Sequence, residues 1–116
     1  MYLCKTSQRM KIEFEHEYLR ELYEEGKASG KKHRFQPQLI KQYIKTVDIL
    51  KREPDLESLY QYKSLHYEKK EGNLQDIEAV YVNMQYRLEF RSRLAGTEHD
   101  VITICSLLEL SNHYKK

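Results

Sequence analysis

A chain of 116 residues, with 40% hydrophobic and 33% charged side chains, is long enough for one domain around one core and argues against two. No stretch is apolar enough to cross a membrane and the first ten residues lack the apolar run of a secretory signal, so we expect a cytoplasmic protein. The formal net charge of +2 is far from the basic excess of a dedicated nucleic-acid binder, so any RNA contact must depend on where the charges lie.

The domain boundary and the cysteines lead to two simple expectations. Residues 1–9 are predicted to be an N-terminal extension, disordered or loosely attached, and residues 10–116 a single domain. Cys4 and Cys105 have no second thiol or histidine at metal-ligand spacing, so we predict no metal site and no cofactor. Cys105 follows a β-branched run and is expected to be a buried, small hydrophobic side chain.

A short strand and a helix are predicted at the start of the domain. Lys11–Phe14 alternates polar and apolar residues, which is the period of a strand. The apolar residues that follow recur at helical spacing: Tyr18, Leu19, Leu22 and Tyr23. Gly26 is expected to end this helix, because glycine is common just after the last helical turn.

A basic loop and a second helix are predicted next. Residues 27–35 show no periodicity and are predicted to be an exposed loop with four basic side chains, Lys31, Lys32, His33 and Arg34. This cluster is either solvated or in contact with RNA phosphates. Pro37 suits the first turn of a helix, and Pro54 forbids its continuation. Between them lies one apolar stripe: Leu39, Ile40, Tyr43, Ile44, Val47 and Leu50.

The remainder of the chain is predicted to be strands and turns. A short extended run is expected over residues 60–65 and a turn over residues 69–73. A second turn is expected at residues 96–100, a last strand at residues 101–107 and a polar tail at residues 108–116. The order predicts an α+β domain with two N-terminal helices packed on a small, curved, mainly antiparallel sheet.

The alternation of apolar and polar residues is longest between residues 80 and 90. This segment is either one long bent strand or a hairpin that turns near Asn83 and Met84. A continuous strand would keep Tyr81 and Arg87 on the same face of the sheet, whereas a turn could change that.

Side chains suited to metal-free RNA cleavage recur in the last half of the chain. Such cleavage needs activation of the ribose 2′-hydroxyl, protonation of the departing 5′ oxygen and positive charge near the phosphate. His66 and His113 are natural proton-transfer groups, and Tyr114 can donate a proton or orient a phosphate. Arg87 can bind two phosphate oxygens at once. Two lysines could hold the RNA backbone as point charges: Lys69 and Lys70.

Each of these candidates also has an ordinary structural alternative. A surface or strand-capping histidine explains His66, and a frayed polar terminus explains the two C-terminal candidates. Arg87 would pair with Glu89 or Glu109 on an exposed sheet face, a contact typically worth about 0–1 kcal/mol. The two lysines would be solvent-facing turn residues. The chain has no P-loop, dinucleotide-binding, nucleophile-elbow or zinc-protease motif.

Three segments together form a recognisable pattern: the Leu-His pair that ends at His66, the Lys-Lys-Glu-Gly turn at residues 69–72 and the strand sequence Val-Asn-Met-Gln-Tyr-Arg-Leu-Glu-Phe at residues 82–90. This pattern resembles the HigB-like branch of the RelE/ParE toxin superfamily from toxin–antitoxin systems. The resemblance extends from about residue 10 to residue 114. Two places depart from the family pattern: Tyr81 stands where many members have an arginine, and the tail reads Asn-His-Tyr instead of Asp-Tyr-His.

The resemblance implies a toxin that cuts mRNA on the ribosome without a metal ion and so blocks translation. Its cognate antitoxin would be a small helix-turn-helix repressor, through which the complex would reach operator DNA. The implied catalytic residues are Arg87, His66, His113 and Tyr114, and the implied RNA-binding residues are Lys69, Lys70, Tyr81 and Asn112. The alternatives are a non-nucleolytic relative that inhibits a protein target such as DNA gyrase, and a partner-binding adaptor, so catalysis itself stays open.

Overall fold

The computed structural model describes residues 10–28, 30, 34–69, 76–97 and 99–112. Within these residues the chain forms two α-helices and five strands, in the order β1 (Lys11–Phe14), α1 (Glu17–Glu25), α2 (Pro37–Arg52), β2 (Glu68–Lys69), β3 (Glu78–Tyr81), β4 (Tyr86–Thr97) and β5 (Asp100–Asn112). Two short 3₁₀ helices, Glu57–Gln61 and Lys63–Leu65, lie between α2 and β2. The predicted N-terminal extension, residues 1–9, lies outside the described residues.

The five strands form one mixed sheet in the order β1-β5-β4-β3-β2. β1 runs parallel to β5, and the other three pairings are antiparallel. The predicted α+β class is confirmed. The predicted strand β1 precedes both helices, so the helices are not strictly N-terminal, and the parallel β1–β5 pairing makes the sheet mixed. No tight turn joins β1 to β5, so side-chain packing is free to select the parallel register, which pairs Ile12 with Cys105 and Phe14 with Leu107.

The two helices cover one face of the sheet and form the core with it. α1 contributes Leu19 and Leu22, which are fully buried, and the Tyr43 hydroxyl of α2 donates a 2.7 Å hydrogen bond to the Leu19 carbonyl oxygen. The strands contribute the other half of the core: Val80, Leu88, Phe90, Cys105, Leu107 and Leu110. Both helices were predicted correctly. Gly26 ends α1 in the left-handed region at φ 77°, and Pro37 begins α2.

The expectation of an extended run at residues 60–65 was wrong, because this part of the chain forms the two 3₁₀ helices. A 3₁₀ helix has three residues per turn. Leu59 and Leu65 are buried and Tyr62 lies between them, partly buried, so their spacing of three places all three on one side. Asp55 accepts a 3.0 Å hydrogen bond from the backbone N–H of Ser58 and supports the first of these turns.

The last strand is longer than predicted. β5 continues to Asn112, and Leu110, which was assigned to a polar tail, is only 4% exposed in the core. The register shifts where Glu89 pairs with Glu109 and the next residue of β4 pairs with Leu107. This β-bulge inserts Leu108 as an extra residue, bends the sheet and interrupts the alternation in the sequence. The predicted turn at residues 96–100 shrinks because β4 extends to Thr97.

Residues 80–90 form a hairpin and not one continuous strand. β3 ends at Tyr81, residues 82–85 form the turn, and β4 begins at Tyr86. Of the predicted basic loop, Arg34 is described and exposed, whereas Lys31, Lys32 and His33 lie outside the described residues. Within the described part of the chain, neither helix combines the length and the apolar character that a membrane span requires.

Candidate functional site

His66 lies at the end of the second 3₁₀ helix, in a conformation that non-glycine residues rarely adopt. Its backbone is left-handed, with φ 46° and ψ 47°, and its N–H donates to the Lys63 carbonyl oxygen at 3.2 Å. The exposed imidazole ring lies against the ring of Tyr81, with 4.5 Å between the ring centroids and 41° between the planes. The structure therefore places a group that can transfer protons next to the end of β3.

Tyr81 and Arg87 are direct neighbours across the β3–β4 hairpin. The register pairs Tyr81 with Arg87, and Arg87 pairs in turn with Ser111 of β5. Residues paired in this way point to the same face of a sheet, so the three side chains form one row across three strands. The hairpin thus keeps Tyr81 and Arg87 on one face, which the sequence alone left open. Tyr81 and Arg87 lie on the sheet face opposite to the buried Val80 and Leu88, and with His66, which lies against Tyr81, they form one group.

A second set of contacts fixes the turn of this hairpin. The Asn83 side-chain oxygen accepts hydrogen bonds from the backbone N–H groups of Gln85, at 2.8 Å, and Tyr86, at 2.7 Å. The Asn83 side-chain nitrogen donates to the Gln42 side-chain oxygen of α2 at 2.9 Å. One asparagine therefore shapes the turn and ties it to the helix, which holds Tyr81 and Arg87 in place.

Arg87 is partly buried and forms an ion pair on its own strand. Its Nη2 lies 3.3 Å from Oε2 of Glu89, and the two side chains are 23% and 19% exposed. The Arg87 Nε is buried and has no hydrogen-bond partner in the structure. A buried donor without an acceptor typically costs about 1–3 kcal/mol. The structure therefore contains the ion pair with Glu89 that the sequence offered as an ordinary structural role for Arg87.

The other predicted RNA-binding residues are placed differently. Lys69, the last residue of β2, pairs with Glu78, and Asn112 pairs with Tyr86. Glu78 lies three residues before Tyr81, and Tyr86 lies one residue before Arg87. Because successive side chains of a strand point to opposite faces, the side chains paired with Glu78 and Tyr86 point to the face opposite to Arg87. His113, Tyr114 and Lys70 lie outside the described residues.

A cavity of about 390 Å³ lies between α2 and the hairpin turn, next to His66 and Tyr81. Sequence reasoning missed its polar contributors, among them Lys45 of α2 and Ser64 of the 3₁₀ segment. Nothing in the sequence marks Lys45 as a site residue, because a lysine on an amphipathic helix ordinarily faces solvent. Among the described residues, no cluster of three or more histidine, cysteine, aspartate or glutamate side chains could hold a metal ion.

Comparison with known proteins identifies the family. A family model described as the RelE-like toxin of the type II toxin–antitoxin system HigB matches residues 12–102. The chain belongs to this HigB-like toxin family. Searches of curated proteins and of solved structures found no match.

Membership makes the chain a HigB-like toxin of a type II toxin–antitoxin system, with a cognate antitoxin as its partner. The matched segment of this HigB-like toxin contains the group formed by His66, Tyr81 and Arg87. It ends before Asn112, so the match says nothing about the C-terminal candidates.

Proposed function

We propose that this HigB-like toxin is a ribosome-dependent, metal-independent mRNA endonuclease that blocks translation. The observation that carries the proposal is the group formed by His66, Tyr81 and Arg87, in which the His66 imidazole lies against the Tyr81 ring and Tyr81 pairs with Arg87 across the hairpin. An imidazole can transfer protons near neutral pH, and a guanidinium can bind two phosphate oxygens. Family membership supports the toxin role in general terms.

The proposed reaction is an internal transfer at the phosphate. The ribose 2′ oxygen loses its proton to a base and forms a bond to phosphorus, while the bond between phosphorus and the 5′ oxygen breaks and that oxygen takes up a proton. Arg87 stabilises the charge that builds on the phosphate, and His66 serves as one of the two proton-transfer groups. Tyr81 offers its ring as a surface on which a base of the message can stack.

The second proton-transfer group is proposed to come from the C-terminal tail, from His113 or Tyr114. These two residues follow Asn112, and β5 pairs Ser111 directly with Arg87. His113 is two residues and Tyr114 three residues beyond Ser111, spans of at most about 7 and 11 Å, so both are within reach of the proposed phosphate site. Lys69 and Lys70, with Asn112, remain proposed contacts for the RNA strand outside the reacting group. The antitoxin is proposed to be a helix-turn-helix repressor that carries the complex to operator DNA, with no cofactor or membrane involved and the cytoplasm as the site of action.

Primer extension on a defined mRNA, with and without translating ribosomes, tests this proposal. We expect discrete cuts only when ribosomes translate the message. Arg87→Ala should lower the cleavage rate by about a hundredfold or more, since removal of one charge-stabilising group typically has an effect of this size. Arg93→Ala is the matched control, because Arg93 lies on the same strand and face and pairs with Glu13 at 3.2 Å.

One observation favours the alternative of a toxin that inhibits a protein target. Glu89 partly neutralises Arg87, and Tyr81 supplies no positive charge. The positive charge available for RNA cleavage at this site is therefore small. A message that stays intact with the unmodified chain, while expression of that chain still arrests growth, would support this alternative and overturn the nuclease proposal. Equal loss of cleavage in Arg87→Ala and Arg93→Ala would remove Arg87 from the reaction.

A further inference from the structure

Glu78 is a buried carboxylate that the proposed reaction does not use. It is 1% exposed and lies on the core side of β3, where it pairs with Phe90. The Tyr67 hydroxyl donates to its Oε1 at 2.5 Å, and the Ser92 hydroxyl donates to its Oε2 at 2.5 Å. No ion pair joins it to another described residue. Burial of an acidic side chain without a cation is unfavourable, so an apolar side chain at this position would stabilise the fold more.

Tyr67 connects this carboxylate to the candidate site. Its ring packs on Phe90, with 6.3 Å between centroids, and meets the ring of Tyr60 edge-on at 5.1 Å. Burial and the hydrogen bond to Glu78 hold the pKa of the Tyr67 phenol well above its usual value, so the hydroxyl stays a donor at neutral pH. The ring and the hydroxyl together fix where the chain runs immediately after His66.

His66 needs such an anchor because its backbone conformation is unfavourable. A non-glycine residue in the left-handed region is strained, and this conformation persists only where the surrounding contacts hold it. On the N-terminal side the 3₁₀ turn supplies one restraint, the hydrogen bond to the Lys63 carbonyl oxygen. On the C-terminal side the restraint is Tyr67, whose hydroxyl is held by Glu78.

We infer that Glu78 is a positioning residue, which acts through the Tyr67 phenol to hold the His66 imidazole against Tyr81. The inference rests on the proposed function for its catalytic consequence, since it assigns His66 a role in proton transfer. The orientation of the His66 ring that it predicts does not depend on any cleavage activity. Glu78 itself touches neither the message nor the reacting atoms.

The orientation of His66 is measured directly by NMR of the histidine ring protons, with His66→Gln used to assign the signal. In the unmodified chain the Tyr81 ring, at 4.5 Å, should shift the His66 signal away from the random-coil position. Tyr67→Phe and Glu78→Gln should each move it toward that position. Tyr23→Phe is the control, because it removes a 2.5 Å hydrogen bond from a tyrosine to Asp48 between the two helices. An unchanged His66 signal in both site variants would overturn the inference.

Cleavage kinetics in a double-mutant cycle separate positioning from general support of the fold. Tyr67→Phe should lower the cleavage rate about tenfold to a hundredfold, as expected for a misplaced catalytic group. In the His66→Gln background the same substitution should have no further effect. Equal losses in both backgrounds would mean that Tyr67 acts independently of His66 and would contradict the inference. If the unmodified chain does not cleave, the proposed function fails, and the NMR experiment still decides the role of Glu78.

Discussion

Arg87 has both an ion pair and a buried donor without a hydrogen-bond partner, and both bear on its proposed role in phosphate binding. Its Nη2 is engaged by Glu89 at 3.3 Å, while its buried Nε has no partner. In the proposed reaction the Glu89 carboxylate holds the Arg87 side chain in place but also repels an approaching phosphate. The guanidinium attracts the same phosphate, because hydrogen bonds between charged groups are the strong ones. Proposed phosphate binding at Arg87 is therefore a balance between these two effects.

A residue-scale prediction concerns Cys105, which was expected to be a buried, small hydrophobic side chain and is fully buried. Burial raises the pKa of its thiol from 9.0 to about 12, with nearby Glu78 adding to the effect. At pH 8 the reactive thiolate is then about a thousandfold scarcer than in an exposed cysteine. In a Cys4→Ser variant, a thiol reagent should label Cys105 slowly in buffer and rapidly in denaturant. Equally fast labelling under both conditions would contradict this.

At the scale of elements, the sequence predicts the helices well because their signals are local. The apolar stripe of α2, with Pro37 at its start, can be recognised without knowing the fold. The 3₁₀ helices were missed because segments of five and three residues are too short to show a periodicity in the sequence. The end of β5 was missed because the bulge at Leu108 puts Leu107 and Leu110 out of phase with an ordinary strand. Bulges depend on the partner strand, which one segment cannot reveal.

The β4–β5 hairpin gives an element-scale prediction through Gly96. Its φ is 107°, and a Cβ added there would lie 2.1 Å from the Asp100 carbonyl oxygen. Gly96→Ala should therefore lower the free energy of unfolding by about 3 kcal/mol, from a strained backbone and a steric clash together. Urea unfolding followed by circular dichroism measures this.

Gly26→Ala is the control for that experiment. Gly26 has φ 77° at the end of α1, but an added Cβ would meet no atom within 4 Å. This variant should lose only about 1 kcal/mol, which is the cost of the left-handed conformation alone. If the two alanine variants lose the same stability, the close approach to the Asp100 carbonyl oxygen does not govern the hairpin.

At the scale of the whole molecule, the candidate site is assembled from segments that the sequence keeps apart. His66 comes from a 3₁₀ turn, Tyr81 from β3 and Arg87 from β4, and the hairpin that joins the last two is tied to α2 through Asn83 and Gln42. The sequence indicated His66 and Arg87 by their chemistry. It could not indicate Glu78 or Tyr67, because their importance arises only from the contact between them.

The stability of the whole fold at alkaline pH depends on tyrosines that are partly or fully buried. Burial is the leading cause that raises the pKa values of the phenols of Tyr18, Tyr43 and Tyr67 above their usual value of 10.0. Between the unfolded and folded pKa values, the unfolded chain loses protons that the folded chain keeps. The stability from these groups is therefore fully present below about pH 10 and falls as the pH rises beyond it, by up to about 1.4 kcal/mol per pH unit for each of Tyr43 and Tyr67, while Tyr18 contributes in the same direction.

Urea unfolding at several pH values from 8 to 11 measures this slope, and Tyr43→Phe isolates one contribution to it. The variant loses the 2.7 Å hydrogen bond to the Leu19 carbonyl oxygen, so at pH 8 it should be about 1 kcal/mol less stable than the unmodified chain. Because phenylalanine cannot ionise, its stability should then fall less steeply above pH 10, and the two curves should converge. Parallel curves across the whole range would mean that the Tyr43 phenol does not contribute to the alkaline loss.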